Sequence, residues 1–295
     1  PNSPSSSDHE RKRIMETLKC IEQRLLWLAT FCIHHANNVR PNPDGVKVGG
    51  HQASSASVVS IMTVLYFYWL RSNDRISIKP HASPVLHAVN ALLGNLPLDR
   101  LKELRSYKGL QAYPSRTKDP DPVDFSTGSV GLGAVAPNFA ALTKAYVENH
   151  FGTSESGRFV ALIGDAELNE GNIWEALSEE QLLGLKNVLW IIDLNRQSLD
   201  HITSQGQYKK YIDMFQALGW RVLMLKYGRK LDTAFDNPGG ERLRKMIDDM
   251  SPRDYHSILS IDGATLREHL LETDPELEQA LLPYHDDELS ELISN

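Results

Sequence analysis

RFVALIGDAELNEGNIWEALSEEQLLGLKNVLWIIDLNRQSLD, residues 158–200, decides the fold class. Phe159–Ile163 and Val188–Leu194 are short apolar runs rich in Val, Ile and Leu, the pattern of strands buried in a parallel sheet. Between them, Asn172–Leu185 has the length and residue types of a helix, so the unit is a βαβ crossover. The first strand runs out into Gly164-Asp165 and the second into Asp193-Leu194-Asn195. Groups just past the carboxyl ends of neighbouring parallel strands face one crevice, so Asp165 and Asn195 are expected to converge. A carboxylate and an amide oxygen suit a hard cation such as Mg²⁺, whose remaining positions are usually filled by phosphate oxygens and water. The stretch therefore predicts a metal–diphosphate site at one edge of a parallel sheet.

Working outward, Gln207–Leu218 reads as a helix and Gly219–Lys226 as a third strand, which extends the alternation to βαβαβ. Upstream, Asp74–Lys79 is a short strand with alternating Ile76 and Ile78, followed by a helix over Val85–Leu93. The expected fold is α/β, a doubly wound, mainly parallel sheet flanked by helices. Apolar residues recur with helical spacing over Glu10–Ala36, and Pro41–Gly45 breaks that helix. Three parts follow: a tail and helix (1–45), an α/β domain (46–230) and a helical extension of the same domain (231–295), expected to be truncated. The tail PNSPSSSDH carries no chemistry, and the start at Pro rather than Met suggests a trimmed chain or a piece of a longer one.

Three loops lead into helices and carry candidate site residues. Gly49-Gly50-His51-Gln52-Ala53-Ser54 places a histidine among small residues that allow close approach to a ligand. Pro80-His81-Ala82 repeats that placement at a strand end. Ser126–Gly133 holds three glycines at a helix start, where backbone N–H groups can meet a phosphate or the helix can simply pack closely. Between these, the irregular stretch from Gln111 to Asp124 contains three prolines and has the length of a functional loop.

The composition bounds the function classes. The chain has 295 residues, 41% hydrophobic and 23% charged, the balance expected of a soluble globular protein. A formal net charge of −7 with no basic block argues against a nucleic-acid binder. Cys20 and Cys32 have no metal-ligand spacing and fit free thiols in a reducing cytoplasm. The most apolar run, Val58–Leu70, is too short to cross a bilayer, no signal peptide is visible, and no Walker sequence marks a nucleotide-binding loop.

Together the motifs resemble the thiamine diphosphate-dependent transketolase superfamily. Gly164-Asp165-Ala166-Glu167, with Asn195 downstream, looks like its cofactor motif, which begins Gly-Asp-Gly and ends in Asn. GGHQAS (49–54), PHASP (80–84), QAYPSR (111–116), STGSVGLG (126–133) and NRQSLD (195–200) occur in the superfamily's order. The Tyr-Pro of QAYPSR and the Asn-x-Gln-x-Leu-Asp ending are most like its homodimeric pyruvate dehydrogenase branch. The resemblance implies Mg²⁺ held by the side chains of Asp165 and Asn195 and the carbonyl of Gln197. It implies Glu167 near the diphosphate, and cofactor contacts from Ser54, Val130, Gly131, Gly164 and Ala166. His51, His81 and Tyr113 would line the substrate side, where imidazoles relay protons and stabilise an oxyanion. The implied reaction is oxidative decarboxylation of a 2-oxo acid. The alternatives are transketolase-type ketol transfer and a non-catalytic binding or scaffold protein.

Three positions depart from the family pattern. Ala166 replaces the second glycine of the motif, Pro80 a glycine before the second histidine, and Lys79 an amide that contacts the cofactor. No stretch resembles the pyrimidine-binding domain whose glutamate activates the cofactor ring. A second domain or subunit is therefore an expected partner, in a homodimer or a heterotetramer, and the chain alone is expected to turn over nothing.

Overall fold

The computed structural model describes residues 6–128, 130–152, 157–182, 184–194 and 205–294. The chain forms two compact units, 1–195 and 196–295, so the boundary falls within the span 46–230 expected as one domain.

The first unit is built on three parallel strands, β1 (Arg75–Ile78), β2 (Phe159–Gly164) and β3 (Val188–Asp193), in that spatial order. The register sets Arg75 beside Phe159 and Phe159 beside Val188, so Gly164 and Asp193 end level with each other. Side chains alternate across the sheet. Ile76, Ile78, Val160 and Leu162 point into a core shared with helices α1 (Ser6–His34), α3 (Val59–Val64) and α4 (Ser83–Leu92). On the opposite face Ser77 meets Gly133, in the first turn of helix α5 (Leu132–Phe151), and Trp190 donates to Asn138 Oδ1 of α5 at 2.8 Å. Helices therefore cover both faces, as the apolar run of β2 requires, and bury Ser77 of β1 along with Ile76 and Ile78. The N-terminal helix belongs to this core through Leu25, Leu28, Ala29, Cys32 and Ile33.

At the amino edge, Arg158 pairs with Asp74 at 2.5 Å and stacks over Trp69 at 3.4 Å, which fastens the starts of β1 and β2. Burial opposes ionisation of Asp74, but the hydrogen bonds from Arg158 outweigh it and hold the carboxyl below the usual range.

Several elements are shorter than their pattern. The expected helix over 172–185 stops as α6 (Gly171–Leu177), and the Ser178 hydroxyl beyond its end donates back to the Trp174 carbonyl at 2.6 Å. A one-turn 3₁₀ helix, Glu180–Leu182, follows. A 3₁₀ helix over Leu98–Glu103 ends before Arg105, whose φ is +55°. Short helix α2 (Gln52–Ala56) precedes α3.

The third strand expected over 219–226 is not formed. Leu223, Met224 and Leu225 are exposed, Leu225 to 97%, and no ladder pairs this segment among the described residues. Its apolar residues lack the partner edge that turns strand propensity into a strand.

The second unit is helical: α7 (Gln205–Ala217), α8 (Arg229–Phe235), α9 (Gly240–Asp249), α10 (Pro252–Ile258), α11 (Gly263–Thr273), α12 (Glu278–Leu281) and α13 (Asp286–Ile293). It has a core of its own, with Leu231, Leu243, Leu266, Leu270, Leu289 and Leu292 packed together. Asp262 caps α11 by accepting from the N–H groups of Ala264 and Thr265, and Arg267 ties α11 to Asp286 at the start of α13. Among the described residues, no helix is long and apolar enough to cross a membrane.

Candidate cofactor site

The carboxyl edge of the sheet gathers the charged groups. Lys79 follows β1, Asp165 follows β2, and Asp193 closes β3. Lys79 is 4% exposed and its Nζ lies 2.5 Å from Asp193 Oδ2. Ser57 joins them, accepting from Lys79 Nζ at 3.3 Å and donating to Asp193 at 2.7 Å. Because β2 lies between β1 and β3, this ion pair spans the end of the middle strand. The Lys79 stem passes Gly164 at ordinary van der Waals distance from where a Cβ would stand.

Asp165 is buried at the start of a 3₁₀ turn, Asp165–Asn169, and its Oδ1 accepts the Ala166 N–H at 3.0 Å. In the same turn Glu167 Oε1 accepts the Gly164 N–H at 2.9 Å, while its Oε2 is buried without a partner among the described residues. Burial pushes the Glu167 carboxyl up to about 7, against the Gly164 N–H and the Lys79 charge and with help from Glu170.

His51 and His81 meet beside this edge with ring centroids 4.3 Å apart, and Tyr113 lies 6.3 Å from His81. Tyr113 is 39% exposed. Burial, then the neighbouring His51, Lys79 and Arg105, lower the His81 pKa, so its imidazole is neutral at neutral pH. Ser54 is half-buried in α2, directly after His51.

Val130 and Gly131 enter α5. Gly131 has φ +75°, and a Cβ there would stand 2.6 Å from Asn172 Oδ1, so the position takes only glycine. Asn172 Nδ2 donates to the Val130 carbonyl at 2.8 Å, which pins this entry to the start of α6. Val130 is half-exposed. Asn195 and Gln197 lie outside the described residues.

Residues 48–236 match the family described as "Transketolase, thiamine diphosphate binding domain". The chain belongs to this family. It is 27% identical over 304 aligned positions to the pyruvate dehydrogenase E1 component of Corynebacterium glutamicum, covering 98% of the chain and 32% of that relative. The Escherichia coli K12 protein of the same description is 26% identical over 98% of the chain and, again, 32% of its own length. The chain thus spans about a third of these curated relatives. Among solved structures, transketolase from Campylobacter jejuni matches with a TM-score of 0.59 and 28% identity, covering 70% of the chain and 33% of its own. Transketolase from Leishmania mexicana matches with a TM-score of 0.57 at 23% identity over 67% of the chain and 31% of its own, a likeness of fold.

The donor set fits the family's cofactor. Asp165 places a buried carboxylate at the strand end and Glu167 a buried oxygen without a hydrogen-bond partner among the described residues, while the space beside the Gly131 Cα is filled by Asn172, Ile173 and Glu170. Lys79, the departure from the family pattern, is neutralised by Asp193.

Two residues that hold the backbone just before His51 gave no signal in the sequence. Asn37, in a π-helical turn over His35–Val39, brackets Gly49: its Oδ1 accepts the Gly49 N–H at 3.0 Å and its Nδ2 donates to the Gly49 carbonyl at 2.9 Å. Arg105 donates to the Val48 carbonyl at 2.7 Å. Both are far from the loop in sequence, and no local pattern announces such partners. Ser57 and Asp193 were equally silent, although a charged residue closing an apolar strand beside a lysine that ends another is a readable hint.

Proposed function

We propose that the chain is the diphosphate-binding part of a thiamine diphosphate- and Mg²⁺-dependent enzyme that oxidatively decarboxylates a 2-oxo acid resembling pyruvate. The observation that carries this reading is the meeting of His51, His81 and Tyr113 beside the edge that holds Asp165. When bound, the cofactor supplies a carbon nucleophile for the substrate carbonyl and an electron sink for the loss of CO₂. The chain's own residues position and protonate. Asp165, with Asn195 and the Gln197 carbonyl, would hold Mg²⁺, and the entry of α5 at Val130–Gly131 would face the diphosphate. His81, neutral through burial and the charges around it, can accept a proton and return it. His51 at 4.3 Å can donate to a developing oxyanion, and Tyr113 orients the substrate carboxylate.

The site is half of one. The pyrimidine end of the cofactor is left to a second domain or subunit, in keeping with a chain that covers about a third of its relatives. Calorimetric titration of Mg²⁺ and thiamine diphosphate into the chain reconstituted with a pyrimidine-binding domain tests the cofactor. Asp165→Ala should weaken binding about 100-fold or more, since even outer-shell partners of metal ligands cost about 10–100-fold. No heat beyond dilution would leave a binding or scaffold protein. Pyruvate and xylulose 5-phosphate offered in parallel separate decarboxylation from ketol transfer. Turnover by the purified chain alone would overturn the half-site reading.

A further inference from the structure

Helix α4 begins just after His81 and is buried along nearly its whole length. Its polar residues Ser83, His87 and Asn90 are spaced i, i+4, i+7 and therefore share one face. All three are buried, and all three engage one segment, the loop over 111–124 that carries Tyr113. Ser83 Oγ donates to the Ala112 carbonyl at 2.9 Å. His87 Nδ1 faces both oxygens of Asp121 at 3.0 and 3.2 Å, and its Nε2 faces the Gln111 carbonyl at 3.5 Å and Asp119 at 3.9 Å. Asn90 Nδ2 donates to Asp121 at 2.7 Å and to the Pro122 carbonyl at 3.1 Å. Asp119 in turn accepts the N–H groups of Gln111 at 2.8 Å and Ser115 at 2.7 Å, closing the loop on itself around Tyr113.

His87, Asp119 and Asp121 have the composition of a metal site, with ligand atoms within 4.8 Å of one another and no exposed side-chain surface. Their arrangement suits hydrogen bonding instead. The imidazole lies between the two carboxylates, one at each nitrogen, and the carboxylates already accept from Asn90, Gln111 and Ser115. Burial resists ionisation of Asp121, but the contacts from His87 and Asn90 overcome it and lower its pKa.

We propose that this polar face of α4 is a clamp that fixes Tyr113 opposite His81, with His87 as its central positioning residue. His81 sits in the 3₁₀ turn Pro80–Ala82 that leads directly into α4, and α4 grips the Tyr113 loop along its side, so one helix links the two rings, whose centroids lie 6.3 Å apart. The role given to Tyr113 rests on the proposed function; the clamp itself does not.

Hydrogen exchange of the full 295-residue chain, without cofactor, tests the clamp. His87→Leu should raise exchange over 111–124 by about tenfold or more while β2 stays within about twofold of wild type. The control is Leu86→Ala, a buried residue on the same helix that does not touch the loop through hydrogen bonds, at matched loss of Tm. A ¹⁹F label on 3-fluorotyrosine at position 113 should shift or broaden in His87→Leu and not in the control. If His87→Leu fails to fold, Asp119→Asn, on the loop side, is put through the same measurements. Equal effects in variant and control would reduce His87 to ordinary core packing and overturn the proposal. So would a Zn²⁺-dependent rise in Tm that His87→Leu abolishes, since that would make the cluster a metal site.

Discussion

Lys79 and Asp193 form a buried ion pair across the end of the middle strand, with Nζ and Oδ2 2.5 Å apart. Removing one partner of such a pair leaves a buried charge uncompensated, which costs about 3–5 kcal/mol, whereas replacing both by neutral groups of similar shape is often tolerated. Lys79→Gln and Asp193→Asn should therefore each lower the denaturation midpoint sharply, and the double variant should recover most of the loss. Urea titrations of the four proteins give the coupling directly. Additive losses would mean that the two charges do not depend on each other.

That pair marks the limit of what sequence reading could reach. The strands themselves were legible, β2 from its apolar run and β1 from the alternation of Ile76 and Ile78. His51, His81 and Tyr113 stand on loops beside glycine or proline, and the structure sets the His51 and His81 rings 4.3 Å apart and the His81 and Tyr113 rings 6.3 Å apart. What escaped is settled by partners distant in the chain. Residues 219–226 have strand propensity but no paired edge, and Asn37, Arg105 and the polar face of α4 act on loops that lie many residues away. The second unit's core was invisible for the same reason: Leu231, Leu266 and Leu289 belong to separate helices whose patterns do not reveal that they meet.

Gly131 and Gly94 separate backbone strain from steric exclusion. Both have positive φ, +75° and +80°, but nothing lies within 4 Å of a Cβ at Gly94. Gly94→Ala should cost only the left-handed backbone term, about 1–2 kcal/mol. Gly131→Ala adds a clash with Asn172, Ile173 and Glu170, so its loss in Tm should be clearly larger. Equal thermal shifts would mean that the α5 entry relaxes at no cost.

Asn37 and Asn38 are neighbours with different duties. Asn37 satisfies both backbone groups of Gly49, while Asn38 is exposed and, among the described residues, reaches only His34. Asn37→Ala should destabilise by about 1–3 kcal/mol, since it leaves two part-buried backbone groups unpaired. Asn38→Ala should change stability by less than about 0.5 kcal/mol. The ring protons of His51, followed by NMR, should move in the first variant only. An unchanged His51 signal in Asn37→Ala would show that Arg105 alone holds the loop.

Glu167 predicts a pH dependence whose sign is fixed by its burial. Its carboxyl titrates near 4.5 in the unfolded chain and at about 7 in the folded one, so between these values only the folded state keeps the proton. Its contribution to stability is then complete below pH 4.5 and is lost as pH rises to about 7, where a buried carboxylate with an orphaned Oε2 must be carried. Glu167→Gln keeps an oxygen for the Gly164 N–H and does not titrate. The stability of Glu167→Gln relative to wild type should therefore grow by on the order of 3 kcal/mol from pH 4.5 to 8, because groups common to both proteins cancel in the difference. Denaturant titrations across that range, in chelator to exclude divalent ions, measure it. A difference that stays flat would place the Glu167 carboxyl at its ordinary value and leave its second oxygen hydrated rather than waiting for a ligand.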